Sequence, residues 1–153
     1  MTASPFPAKP QAEHSPLELE RFLPYRLSIL SNTVSQAIAA DYEQRYDLST
    51  TEWRVMAVLA RYERLSAREV AERTAMDKVA VSRALSRLVE AGRVERDTHD
   101  GDRRRSVLWL SEAGWAVHDV VAPLARSHER HLLAKLSEEE RTLLLALLDK
   151  LGA

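Results

Sequence analysis

The sequence contains no cysteine and only four glycines. Without cysteine the chain has no disulfide, no zinc–thiolate site and no thiol that could sense oxidants, and this composition is typical of a protein of the reducing cytoplasm. It also has no apolar run near the roughly 18 residues that a membrane-spanning helix needs. We therefore expect a cytoplasmic protein that does not engage a membrane.

The first 16 residues differ in composition from the rest of the chain. They contain four prolines and have no apolar stretch of the kind found in a secretory signal. Such a composition predicts a disordered or extended tail over residues 1–16. The remaining residues, 17–153, are enough for one domain with a core of its own.

Recognisable catalytic motifs are missing too: there is no glycine-rich phosphate loop, no nucleophile elbow and no pair of catalytic carboxylates. The segment "DTHDGD" lacks the ligand spacing of an EF-hand. His128 and His131 stand three residues apart and could bind a metal together with His118. Scattered histidines are more often surface or interface residues, so we expect no enzyme, no metal and no cofactor.

Charge is distributed unevenly along a chain whose formal net charge is only −1. Residues 61–105 hold 12 lysines and arginines against 9 acidic residues, and both ends of the chain are acidic. A basic middle segment is a modest indication of an anionic partner such as nucleic acid.

Apolar periodicity and capping motifs predict a series of helices. A long amphipathic helix is expected over 17–46, and the capping boxes "STTE" and "SARE" begin two further helices. Asp77 is placed to cap a fourth helix, which runs to about Ala91 and is stopped by Gly92. The segments "RVERDT" and "SVLWLS" predict the two strands of a hairpin with "HDGDRRR" at its tip. Two further helices are predicted after this hairpin. These are expected over Trp115–Leu136, with a kink at Pro123, and over Leu143–Leu151, capped by "SEEE" at Ser137–Glu140.

A short capped helix, a turn and a longer helix followed by a hairpin form the pattern of a winged helix-turn-helix, whose second helix enters the DNA major groove. The expected fold class is therefore mainly α, an α+β winged helix. Helical spacing separates the charged side chains of "DKVAVSRALSRLVEAG" from Val81, Leu85 and Leu88. The expected DNA-contacting residues of this helix are Lys78, Ser82, Arg83 and, one turn on, Arg87. The alternative is an amphipathic helix whose charges are merely solvated.

Several spacings together resemble the MarR family of bacterial winged-helix regulators. The residues that carry the resemblance are Val81-Ser82-Arg83, Leu88 with Gly92, Val94 with Arg96, Asp102 with Arg104, and Leu110-Ser111 with Gly114. The match covers most of residues 20–151. It implies a homodimer in which helices 17–46 and 115–151 of the two chains intertwine, and these helices flank a winged-helix lobe over 49–111. The leucine-rich surface of those flanking helices points the same way, since it exceeds what a small lobe covers; the alternative is an ordinary monomer core.

For the hairpin tip the resemblance implies that Arg104 enters the minor groove while Asp102 orients the arginines. A narrow A·T-rich minor groove has an enhanced negative potential that attracts arginine, so the physical argument agrees. Arg103 and Arg105 are expected at flanking phosphates, although the pleat turns at least one of the three arginines towards the protein. The alternative is a solvated tip.

The resemblance also implies a small, often anionic aromatic effector that binds between the dimer helices and the lobe. Its expected contacts are Arg26, Ser28, Asn32, Trp53 and Met56. An equally good alternative pairs Ser28 and Asn32 across the dimer and places Trp53 in the core. The expected function is thus a homodimeric repressor of a palindromic operator on double-stranded DNA, relieved by that ligand. The competing hypothesis is a winged-helix module for protein interaction or DNA architecture, without ligand control.

Overall fold

A computed structural model describes residues 14–98 and 106–153. The chain divides into two compact units, the first ending at Thr33 and the second beginning at Val34. A 3-10 turn at Leu19–Arg21 is followed by the elements α1 Leu23–Ala40, α2 Glu43–Tyr46, α3 Thr50–Tyr62, α4 Ala67–Thr74, α5 Lys78–Glu90, β1 Val94–Asp97, β2 Val107–Leu110, α6 Glu112–Leu133 and α7 Glu138–Gly152. Within the described residues, no helix has the length and apolar character of a membrane span.

The predicted single helix over 17–46 is wrong, because it is interrupted twice. Phe22 has an extended backbone, and α1 starts at Leu23 with Pro24 in its first turn, where a proline removes no helical hydrogen bond. At the other end, Tyr42 leaves the helical conformation and is 1% exposed. Burial of this side chain in the core therefore ends α1 and separates it from α2.

Three helices begin with the capping boxes that the sequence predicts. Ser49, Ser66 and Ser137 each accept a hydrogen bond from the N–H three residues ahead, and the glutamate at that position accepts from the serine N–H. These reciprocal bonds satisfy two otherwise unpaired donors per helix. Ser111 caps α6 by accepting from the Gly114 N–H, so α6 starts three residues before the predicted Trp115.

The capping box of α4 gives the protein a pH-dependent contribution to stability. Hydrogen bonds from the Ser66 N–H and hydroxyl lower the pKa of Glu69 below its ordinary value of 4.5. Because the pKa is lower in the folded state, this contribution is present above pH 4.5 and is lost as the pH falls through the folded-state pKa. We expect Glu69→Gln to destabilise the protein at pH 7, and we expect this difference from the unmodified protein to shrink as the pH falls below 4.5, as measured by urea unfolding. A difference that stays constant on acidification would contradict this.

The core lies in the second unit, where α3, α4, α5 and α6 pack with the hairpin. Its fully buried side chains include Leu48, Val55, Leu59, Val70 and Val121. Strands β1 and β2 pair antiparallel, with Val94 opposite Leu110 and Asp97 opposite Val107. Leu65, just after α3, adds a third pairing, because its N–H and C=O both bond to the backbone of Leu108. The hairpin is thereby attached to the helical lobe.

Candidate nucleic-acid interface

The helix-turn-helix is built from α4 and α5. Ala75, in a left-handed conformation with φ 50°, ends α4, and the Asp77 carboxylate accepts from the Ala80 N–H at 3.0 Å to start α5. Gly92, with φ 70°, follows α5 and turns the chain into β1, as the sequence predicts. The second helix is thus fixed at both ends by local chemistry.

Helix α5 presents two different faces. Val81, Leu85 and Leu88 are at most 2% exposed and pack into the core. The four polar residues that the sequence singles out are all exposed: Lys78, Ser82, Arg83 and Arg87. Such a basic face on a capped, well-supported helix has the geometry needed to enter a major groove.

Arg87 differs from the other three because it has a partner inside the protein. Its Nε lies 3.1 Å from Oε1 of Glu52, whose side chain is only 4% exposed. The second carboxylate oxygen of Glu52 accepts the Ser49 N–H at 2.7 Å and completes the capping box of α3. One buried carboxylate therefore caps α3 and holds a side chain of α5. The two residues lie 35 positions apart in the sequence, so no local sequence pattern could reveal this pairing.

A matched pair of variants tests how much this contact stabilises the protein. Glutamine at the third helical position still completes a capping box, so Glu52→Gln removes mainly the charge that faces Arg87. We expect a loss of about 1 kcal/mol in the free energy of unfolding, limited because Arg87 is 59% exposed to solvent. Urea titrations of Glu52→Gln, with and without Arg87→Gln, give the coupling between the two residues. An unchanged cost of Glu52→Gln in the Arg87→Gln background would show that the pair contributes nothing.

The predicted hairpin tip falls in 99–105, outside the described residues, and with it Asp102, Arg103, Arg104 and Arg105. The strands on either side are described. Trp109 donates its indole N–H to Glu95 at 2.7 Å across the hairpin, and the Arg64 guanidinium lies 4.6 Å from the centre of the Trp109 ring. These contacts fix the outer face of the hairpin.

The expected effector residues divide between the two units. Arg26, Ser28 and Asn32 are exposed on the part of α1 that belongs to the first unit. In the second unit, Met56 is completely buried, whereas Trp53 is half-buried. The Trp53 ring stacks on His118 with centroids 5.7 Å apart and lies 6.1 Å from that of Tyr42.

The three histidines have separate surroundings. His118 also meets Trp115 edge-on, His128 Nε2 lies 2.6 Å from Asp41 Oδ2, and His131 Nδ1 lies 2.7 Å from the Ser127 carbonyl oxygen. Within residues 14–98 and 106–153, no three acidic or histidine side chains come together in a way that could hold a metal ion.

Both terminal regions carry large apolar side chains on their surface. In the first unit, these include Leu17, Leu23, Ile29 and Leu30, which are 48–59% exposed. On α7 they are six exposed leucines: Leu143, Leu144, Leu145, Leu147, Leu148 and Leu151. All of these side chains are exposed to solvent in the single chain.

Comparison with known proteins gives a consistent result. A family model described as "MarR family" matches residues 46–105. The transcriptional regulator PecS of Dickeya dadantii is 30% identical over 127 residues, which are 81% of this chain and 76% of PecS. The regulator BilQ of Clostridium symbiosum is 32% identical over 87 residues, 57% of this chain, and the match spans only 60% of BilQ.

A solved structure extends the similarity to the fold. The structure of a MarR variant from E. coli in complex with operator DNA matches this chain with a TM-score of 0.73 at 25% identity. The match covers 90% of this chain and 99% of that one. The expected fold class, a mainly helical winged helix with a two-stranded sheet, is therefore confirmed.

Proposed function

The chain belongs to the MarR family of transcriptional regulators, and on that premise we propose that it is a homodimeric repressor that binds a palindromic operator and is released by a small aromatic or anionic ligand. The observation that carries the proposal is the exposed basic face of α5, backed by a fully buried opposite face. Its relatives are transcriptional regulators. We therefore propose that this surface binds DNA and that the protein is not an enzyme.

In this proposal the exposed residues of α5 contact DNA in unequal ways. Arg83 reads a base edge, since arginine donates two parallel hydrogen bonds to guanine. Lys78 and Ser82, in the first turns, bind phosphates or base edges. Arg87 is held by Glu52 through Nε, which leaves its terminal nitrogens to reach a phosphate. The operator complex of the E. coli MarR variant supports DNA as the partner.

Dimerisation is proposed from the apolar surfaces of the terminal helices. Leu143, Leu145 and Leu151 on α7 are 58–63% exposed in the single chain. Burial of these side chains at an interface would contribute favourable free energy to dimerisation. A second copy covers such surfaces in a symmetric dimer and brings two recognition helices about one DNA turn apart, roughly 34–36 Å. Light scattering on the chromatographed protein should give two chains per particle. One chain per particle would exclude the dimer and the palindromic operator together.

The hairpin tip is proposed to add a minor-groove contact through Arg104, oriented by Asp102, with Arg103 and Arg105 at flanking phosphates. Arg104→Ala is expected to weaken binding about tenfold at sites with A·T-rich flanks and less at G·C-rich flanks, because the narrow A·T groove has the stronger negative potential. Paired titrations on two operators that differ only in their flanks measure this. An equal loss on both would exclude the minor-groove role.

The small-molecule effector is proposed to bind at Arg26, Ser28, Asn32, Trp53 and Met56. Arg26 would pair with a carboxylate, and Trp53, which keeps part of its ring exposed, would stack on an aromatic ring. Met56, which is completely buried, would contribute with Trp53 to an apolar wall. The dimer would exist in two states, of which only one binds DNA. A ligand that binds the other state more tightly weakens operator binding, and the effect is limited by the ratio of the ligand's affinities for the two states.

The decisive experiment selects binding sites from random DNA with the full chain and then measures competition by scrambled DNA. A repressor should protect a palindromic site and prefer it by orders of magnitude beyond the electrostatic attraction that any DNA provides. Equal affinity for scrambled DNA would instead support an architectural or protein-interaction role. The selected operator also serves to screen aromatic acids for release of the protein.

A further inference from the structure

A small cavity lies at the base of the hairpin, among the end of α3, strand β2 and the start of α6. Its volume is about 270 Å³, and it is lined by Leu59, Glu63, Arg64, Trp109, Leu110 and Trp115. None of these residues belongs to the DNA-contacting or effector residues named above. The volume is just below the roughly 300–1,000 Å³ of pockets for drug-sized ligands, so it suits a compound with one small ring system.

Two indole rings contribute to the lining of the cavity. Trp109 is held by its hydrogen bond to Glu95, and Trp115 is held by its edge-on contact with His118, at 5.2 Å between ring centroids. Leu59 and Leu110, both at most 5% exposed, form an apolar floor. Two fixed indoles over such a floor favour a flat aromatic ring.

The rim carries one charge of each sign on consecutive residues. Glu63 has φ 60° and ψ −65°, and the Arg64 N–H donates to the Tyr62 carbonyl at 2.8 Å, which makes a tight γ-turn. This conformation is rare and strained for a residue other than glycine, and strain of this kind concentrates at binding sites. The turn thus places one acidic and one basic residue, Glu63 and Arg64, next to each other in the lining of the cavity.

The two charges suit two different groups of one ligand. The Arg64 guanidinium carbon lies over the Trp109 ring at 4.6 Å from its centre, and a guanidinium can pair with a carboxylate through two parallel N–H donors. Glu63 stands at the C-terminal end of α3, where the helix dipole adds to the attraction for a cation. We propose that this cavity is a binding site for a zwitterionic aromatic amino acid. The ring lies between Trp109 and Trp115, the carboxylate pairs with Arg64 and the ammonium group pairs with Glu63.

Calorimetry on the full chain tests this with four probes: L-phenylalanine, 3-phenylpropanoate, which lacks the ammonium group, 2-phenylethylamine, which lacks the carboxylate, and L-leucine, which lacks the ring. Phenylalanine should bind, and each of the others should bind at least about tenfold more weakly, since each loses a charge-assisted hydrogen bond or the stacking. No binding of phenylalanine up to about 1 mM would overturn the proposal. So would equal binding of 3-phenylpropanoate.

Three variants then locate the site. Arg64→Gln and Glu63→Gln, both at exposed positions, should each weaken phenylalanine binding about tenfold or more. Arg61→Gln is the matched control, because Arg61 is an exposed arginine in the last turn of α3 that stacks on Tyr62 and does not line the cavity. A loss in Arg61→Gln equal to that in Arg64→Gln would overturn the assignment. The test does not use DNA, so its outcome is independent of the proposed repressor function.

Discussion

Arg83→Ala is expected to weaken operator binding by about 1–3 kcal/mol per half-site and to relax the sequence preference at one base pair of each half-site. Arg83 is exposed on α5, one residue after Ser82 and two after the buried Val81, so its side chain projects away from the core. In a symmetric dimer the loss occurs twice. The prediction rests on the proposed function.

The measurement is an anisotropy titration on the selected operator and on a panel of its single-base variants. Arg87→Ala is the matched control, because its guanidinium is already bound to Glu52 and is proposed to reach only a phosphate. Arg87→Ala should weaken binding to every sequence in the panel by a similar factor and reduce the salt dependence. The same uniform loss with Arg83→Ala would reassign Arg83 to a phosphate contact.

Gly114→Ala is expected to lower the free energy of unfolding by about 3 kcal/mol, the upper end of the usual cost of overpacking. A Cβ at Gly114 would overlap the Arg93 carbonyl oxygen, and Cδ2 of Leu110 lies 3.3 Å from the same position. The Arg93 carbonyl cannot easily move, because it accepts the Ser111 N–H at 3.0 Å. The methyl group would therefore separate the start of α6 from the base of the hairpin.

Gly152→Ala provides the control for this experiment. Gly152 is the last residue of α7, and a Cβ there would meet no atom within 4 Å. Alanine should be neutral at this position or stabilise by a few tenths of a kcal/mol, because it has the higher helix propensity. Urea unfolding of both variants compares the two glycines directly. A cost for Gly114→Ala below about 0.5 kcal/mol would show that the backbone adjusts freely.

The features that the sequence predicted correctly depend on residues close together in the chain. The capping boxes at Ser49, Ser66 and Ser137 join residues three positions apart, so the local sequence is sufficient to predict them. The two faces of α5 follow from helical periodicity alone. The resemblance to a family also singled out Gly114, although only the structure shows which carbonyl requires a glycine there.

The features that were missed depend on contacts between distant parts of the chain. The break between α1 and α2 results from burial of Tyr42, and helical periodicity continues through it without a signal. The pairing of Leu65 with Leu108 and that of Glu52 with Arg87 join segments 43 and 35 residues apart. The candidate cavity likewise combines three elements, and neither "ERL" nor "LWL" identifies a site when read separately.

The shared carboxylate of Glu52 limits how the protein could be re-engineered. Regulators with new operators are often sought by transplanting the recognition helix of one protein into another. If the transplanted helix had no arginine at position 87, the Glu52 carboxylate would lose its partner on α5. The Glu52 side chain is only 4% exposed, so water could not replace that partner fully. A chimera that receives a new α5 is therefore expected to be more stable with that arginine, or with a simultaneous change of Glu52 to glutamine, so that α5 and the start of α3 are best exchanged as one unit.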